Sequence, residues 1–197
     1  MKSTSKICPW AGDDPLYVDY HNEEWGVPTS DNQRLFEKIV LEGFQAGLSW
    51  ITILRKRENF RKAFDGFDPE KIAKYTDKKI ERLLLNEGII RHRGKIEATR
   101  HNARAYLELQ ERTNLNSFLW DFLDGKPIVN APKSMDDVPP QTPLSTKISK
   151  ALKAEGFKFV GPTTVYAFMQ SMGFVNDHLV SCPRYKECGT LAKKFKL

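Results

Sequence analysis

The chain has 197 residues, 40% hydrophobic and 28% charged, a globular composition whose twelve Phe, six Tyr and four Trp can fill a core without disulfides. No apolar run approaches the ~20 residues of a membrane span, and the opening MKSTSKICPWAGDD lacks the apolar stretch of a secretory signal. Three cysteines cannot all pair within the chain, which fits a cytoplasmic protein, and a net charge of +6 admits a polyanionic partner without assigning one.

In DDPLYVDYHNEEWG, Asp14 is placed as an N-cap and Pro15 as the first helical residue. Leu35, Phe36, Ile39 and Val40 recur at helical spacing after a Ser30/Asp31 cap, and SWITILRKRENFRKAF predicts a further helix capped by Ser49. FDPEKIAKY repeats the Asp-Pro start, and DKKIERLLLNEG predicts a helix closed by a left-handed Gly88. From Arg93 to about Leu109, the residues Ile96, Thr99, Ala103 and Tyr106 form one stripe, and NSFLWDFLDG is a shorter helix stopped by Gly125. Residues 126 to about 143 are proline-rich without a helical period, so they predict a surface loop and the one candidate boundary between lobes. Periodicity resumes in STKISKALKAEG and PTTVYAFMQSMG. The expectation is an all-α fold of about eight helices, forming one domain over residues 1–197.

Three groups of residues bear on chemistry. His178 and Cys182 are four apart, as one face of a helical turn would present them; with Cys8 and His21 they would supply two thiolates and two imidazoles, a set suited to tetrahedral zinc. The spacing is no zinc-finger pattern. Cys188 is a rival ligand, and a surface thiol with solvated histidines is the plainer alternative. The second group is EGFKFVGPTTVYAFMQ, with the outline of a helix–hairpin–helix. Backbone N–H groups at the second helix's start could hold a phosphate there, helped by Lys158 and by the hydroxyls of Thr163 and Thr164 after Gly161; a tight turn between core helices explains it as well. In the third, Tyr17, Tyr20, Trp25, Phe44 and Trp50 flank Glu42 at the end of an apolar helix, where a carboxylate is costly to bury without a donor or cation. Gly43 and Gly47 relax the chain beside it for close approach to a ligand. The basic RHRGKI (Arg91–Ile96) reads as a loop touching phosphates or completing a pocket, or as an ordinary turn between helices.

CPWAGDDPLYVDYHNEEWGVP, LEGFQAGLSWITILRKRENFRKAF, GIIRHRGKI, GFKFVGPTTVYAFMQSMGFVNDH and the trailing Cys182 together resemble bacterial 3-methyladenine DNA glycosylase I, a divergent branch of the helix–hairpin–helix DNA glycosylases. The likeness runs in order from Cys8 to Cys182. It implies an all-α, helix–hairpin–helix fold and a monofunctional enzyme acting on double-stranded alkylated DNA, releasing free 3-methyladenine and leaving an abasic site; one domain suffices for one lesion, so a monomer is expected. It implies one structural Zn2+ on Cys8, His21, His178 and Cys182, joining the ends of the chain. It places Tyr20, Trp25, Trp50 and Glu42 around an extruded base, with Glu42 as the catalytic group and Lys158, Gly161, Thr163 and Thr164 on the DNA. Two positions depart from the wider superfamily. Phe159 stands where the hairpin has its first glycine, and Asn176 where a catalytic aspartate is usual, with the adjacent Asp177 expected to point elsewhere. A non-catalytic binder of damaged DNA and a zinc-dependent hydrolase are the competing readings.

Overall fold

Asp14, Asp31, Asp68, Thr76, Asn114 and Thr142 each cap a helix by accepting from backbone N–H groups of its first turn. The computed structural model describes residues 7–197. Its helices are α1 (Pro15–Glu23), α2 (Asn32–Gln45), α3 (Trp50–Ala63), α4 (Pro69–Ala73), α5 (Asp77–Leu84), α6 (Arg93–Gln110), α7 (Leu115–Trp120), α8 (Pro143–Ala154), α9 (Pro162–Ser171) and α10 (Pro183–Lys194). Short 3-10 turns join several of them. The fold is mostly helical, as expected, and none of these helices is long and apolar enough to cross a membrane.

Helix α2 lies at the centre. Leu35, Phe36, Ile39, Val40, Leu41 and Phe44 are all buried, and the helix packs against α3, α6, α7 and α9. Phe44 belongs to this core, packed at a tilt against Phe60 and Phe64 at 4.7 and 5.8 Å, and does not line the cavity described below. Gly43 serves packing too: a Cβ there would sit 3.1 Å from Phe159 Cβ, so the missing side chain lets the hairpin turn close onto α2.

Three expectations are corrected. Helix α5 ends at Leu84, and Gly88 is not left-handed; its N–H donates to Asn86 Oδ1 at 2.8 Å in the following loop. Helix α10 went unforeseen because Cys188 and Ala192 are its only buried residues, too few to make an apolar stripe; Pro183 at its first position was the available signal. The proline-rich segment is no loose connection. Its strand β1 (Ile128–Val129) pairs in parallel with β2 (Val175–Asn176), and Val180 N–H donates to Pro132 O at 2.9 Å, stitching it to the segment that carries His178.

Candidate functional site

A cavity of about 300 Å³ opens between α1, α2, the start of α3, α9 and the proline-rich segment. That volume is at the lower end for small-molecule sites, ~300–1,000 Å³. Tyr20, Trp25, Glu42 and Trp50 all line it, so the four residues expected around a base are brought together by three helices and the turn after α1. Trp10 and Tyr17 extend the aromatic wall, Trp10 packing 4.9 Å from Trp25 and 5.2 Å from Tyr17 between ring centroids.

Glu42 is 4% exposed. Burial pushes its carboxyl upward, and the ammonium of Lys38, one turn earlier, pulls the other way from 3.2 Å. Tyr20 is held neutral by burial and by the nearby Glu42. Trp50 Nε1 is buried with no hydrogen-bond partner among the described residues. A donor left in that state costs ~1–3 kcal/mol.

Asp177 also lines this cavity, contrary to expectation. Asn130 Nδ2 donates to it at 2.7 Å, Tyr166 OH at 2.6 Å and Gln170 Nε2 at 2.8 Å. Asn176 points the other way, donating to Tyr185 O and accepting from His178 N–H. Successive side chains alternate across extended backbone, so the two neighbours face opposite sides. Sequence reasoning also missed Met135, Val138, Pro139 and Pro140, which line the cavity from the proline-rich segment. Their apolar character was visible, but no periodicity gave them a direction.

Cys8, His21, His178 and Cys182 meet behind this cavity, all buried, with one ligand atom from each lying within 4.8 Å of the others, and they could hold a metal ion. His178 Nδ1 is 3.6 Å from Cys8 Sγ and 3.8 Å from Cys182 Sγ, and His21 Nε2 is 3.6 Å from Cys182 Sγ. The outer ring nitrogens meet acceptors, His178 Nε2 at Trp25 O (3.1 Å) and His21 Nδ1 at Asn22 Oδ1 (2.8 Å), which orients each imidazole toward the cluster. Burial pushes the Cys8 thiol up to about 12 and His178 down to about 3, so the buried cluster resists charge unless a cation arrives to balance it. His178 and Cys182 do not share a helical turn. They flank a tight turn closed by Cys182 N–H donating to Leu179 O at 2.8 Å. Cys188 lies outside the set, its Sγ 4.0 Å from Trp25 O.

Trp10 and Trp25 are shared walls. Each lines the cavity and also packs on an imidazole, Trp25 on His178 at 4.6 Å and Trp10 on His21 at 5.3 Å. Gly26 makes the first contact possible. It has φ +82°, and a Cβ there would lie 3.0 Å from His178 Nε2. Gly26→Ala therefore combines left-handed strain with a clash and should cost about 2–4 kcal/mol. Differential scanning calorimetry should show a drop of ~5–10 °C in Tm; an unchanged Tm would contradict the close approach.

The α8–α9 hairpin presents Lys158 and Thr163 to solvent, Thr164 half-buried, and Gly161 as the N-cap of α9. Phe159, at the position of the missing glycine, has φ +56° and so keeps the left-handed turn with a side chain in place. Asn102 fastens the turn, accepting from Lys158 N–H at 2.7 Å and donating to Lys158 O at 3.2 Å. The basic RHRGKI segment spends much of its charge internally. Arg93 pairs with Glu81 at 2.8 Å, and the buried Lys95 donates to Phe44 O and Ala46 O at the end of α2. Only Arg91 and His92 belong to the connection; Arg93 to Ile96 form the first turn of α6, with His92 as its N-cap.

A family model described as methyladenine glycosylase matches residues 10–185. A DNA-3-methyladenine glycosylase of Haemophilus influenzae is 55% identical over 177 residues, 89% of this chain and 96% of the relative. A crystal structure of 3-methyladenine DNA glycosylase I superposes with a TM-score of 0.89 at 52% identity, covering 90% of this chain and 98% of that one. A variant of 3-methyladenine DNA glycosylase I, solved in complex with 3-methyladenine, superposes with a TM-score of 0.86 at 40% identity over 89% of this chain and 95% of that one.

Proposed function

The chain belongs to the methyladenine glycosylase family, enzymes that hydrolyse N-glycosidic bonds, and on that premise we propose that it extrudes 3-methyladenine from alkylated duplex DNA into the Glu42 cavity and releases it as free base. The observation that carries this reading is a buried carboxylate ringed by indole and phenol faces. While attached to deoxyribose, an adenine methylated at N3 is a cation, and aromatic faces with a carboxylate attract a delocalised cation. Family membership sets aside the non-catalytic binder.

The reaction asks little of acid catalysis. As the C1′–N9 bond breaks, its electron pair returns to the cationic ring, and the base leaves neutral. Water adds to the oxocarbenium-like sugar and gives its proton to solvent, leaving an abasic site. Glu42 accepts hydrogen bonds from the base edge, while Tyr20, Trp25 and Trp50 enclose it. Asp177 lines the same cavity, held by Asn130, Tyr166 and Gln170. Extruding a damaged nucleotide costs a few kcal/mol, less than for an intact pair, which adds selectivity.

The hairpin supplies the DNA contact in this account. The first turn of α9 has backbone N–H groups without intrahelical partners, and Gly161, Thr163, Thr164 and Lys158 surround it. The Cys8, His21, His178, Cys182 cluster holds one structural Zn2+. With Zn–S near ~2.3 Å and Zn–N near ~2.0–2.1 Å, a tetrahedral site separates sulfur from nitrogen by about 3.6 Å, and three of the four sulfur–nitrogen separations here are 3.6, 3.6 and 3.8 Å. Four buried protein ligands leave no position for a catalytic water, which disfavours the zinc-hydrolase reading. The enzyme works as a cytoplasmic monomer.

The test is incubation of the purified chain with methylating-agent-treated duplex DNA, followed by chromatography of released bases. Free 3-methyladenine well above the spontaneous rate, with alkali-labile sites left in the strand, is expected. A folded, metal-loaded protein that releases none defeats the proposal.

A further inference from the structure

Lys38 touches three members of the cavity wall at once without lining the cavity itself. Its Nζ lies 3.2 Å from Glu42 Oε1, donates to Tyr20 OH at 2.7 Å and sits 3.3 Å from the centroid of the Trp50 ring. It opens instead on a second, much smaller pocket behind Tyr20 and Trp50, which form the partition between the two. Only 5% of Lys38 is exposed. A lysine side chain ordinarily keeps its ammonium in water, and burying it is expensive unless its position does something.

We propose that Lys38 is a positioning residue for base recognition: from behind the partition its ammonium fixes Glu42 as a pure acceptor, turns the Tyr20 hydroxyl into a donor, and pins the face of Trp50. The argument is one of donors and acceptors. An ammonium has three N–H donors and no acceptor. Any oxygen it touches must therefore accept, so Tyr20 OH directs its own proton elsewhere and Glu42 keeps its lone pairs. The cation on the Trp50 ring adds an attraction that holds the indole plane. Polarity on the cavity side is thus written from the far side.

Other charges do not duplicate this arrangement. Glu24, just beyond α1, is bound bidentately by Arg57 of α3 at 2.6 and 2.8 Å, so those two largely cancel. Tyr17 on α1 and the Ser171 hydroxyl of α9 face Glu42 without carrying charge, and Asp177 is satisfied by its own three donors. Burial lowers Lys38 to about 8, with Glu42 opposing the fall, so the ammonium persists at neutral pH because of its partner.

The role presupposes that the cavity is the base site, so the test reads Glu42 both without and with ligand. Carboxyl-carbon NMR of the ligand-free protein, with Glu42 assigned through Glu42→Gln, should show its titration midpoint rising by about one to three pH units in Lys38→Met. Lys38→Arg should restore it. Affinity for free 3-methyladenine, followed by tryptophan fluorescence, should fall at least tenfold in Lys38→Met at pH 6–7 and recover at higher pH as Glu42 ionises; the ligand's own titration is common to both proteins. An unmoved Glu42 midpoint, or an affinity loss equal at every pH, would overturn the proposal and leave the base-site reading intact. Failure of the wild-type chain to bind 3-methyladenine at any pH would overturn both. Should Lys38→Met not fold, the coupling is read from its other partner. Glu42→Gln should lower the Lys38 ammonium midpoint further, and no change there would equally refute it.

Discussion

A chain carrying Cys182→Ser is expected to lose its metal and much of its stability together. Cys182 Sγ stands 3.6 Å from His21 Nε2 and 3.8 Å from His178 Nδ1, so its removal takes one of the two thiolates from the set and leaves three ligands. The three remaining ligands are buried in surroundings that oppose charge, and the free energy of binding a structural zinc is part of the folding free energy. A loss of several kcal/mol lowers Tm by about 10 °C or more in a chain of this size. Elemental analysis should find one zinc in the wild-type chain and close to none in the variant, and calorimetry should record the fall. Because Trp10 and Trp25 pack on the imidazoles, base release should decline as their order is lost. A variant that stays folded with an unchanged Tm but releases no base would mean that the metal takes part in the reaction.

Glu42→Gln should act in the opposite sense, sparing the fold and removing recognition. The amide keeps the shape but replaces one acceptor oxygen with a donor and deletes the charge that a cationic base meets. Hydrogen bonds to charged groups contribute about 1.5–3 kcal/mol, so affinity for 3-methyladenine should drop tenfold to a hundredfold, with a comparable loss in the rate of base release. The ammonium of Lys38 then faces a neutral amide, and the cost is limited because burial already favours the uncharged amine. The fall in Tm should be smaller than for Cys182→Ser. Affinity within twofold of wild type would remove Glu42 from the recognition site.

What the sequence disclosed depended on how local each signal was. Asp14 with Pro15, and Asp31 before the Leu35/Phe36 stripe, announce helix starts by chemistry confined to four residues, and both starts fall there. The aromatic residues were legible as two stretches, Tyr17 to Trp25 and Phe44 to Trp50, and Glu42 stood out as an acidic residue at the end of an apolar helix, although Phe44 proved to be core. Lys38 was not, since a lysine between Glu37 and Ile39 looks like any solvated charge until α1 and α3 close over it. Nor was the side to which Asp177 points, which depends on a two-residue strand pairing with residues 47 positions earlier in the chain. The turn at Phe159 shows the converse. Its glycine is absent, yet the left-handed backbone is kept, because Asn102 and the helices on both sides determine the path of the chain.

Cys8 and His178 are 170 positions apart, and the indoles of Trp10 and Trp25 rest on the imidazoles of the cluster they join. During synthesis, the first of these residues leaves the ribosome long before the last is added. A nascent chain that has already formed α2 and α3 still lacks the support behind Trp25, and a translation product that stops before His178 never acquires it. Loop closure over such a span costs only slowly more with length, so the join is affordable once the full chain is free. The pocket is therefore assembled last, and fragments left by interrupted synthesis or proteolytic clipping should be unable to grip a base in DNA.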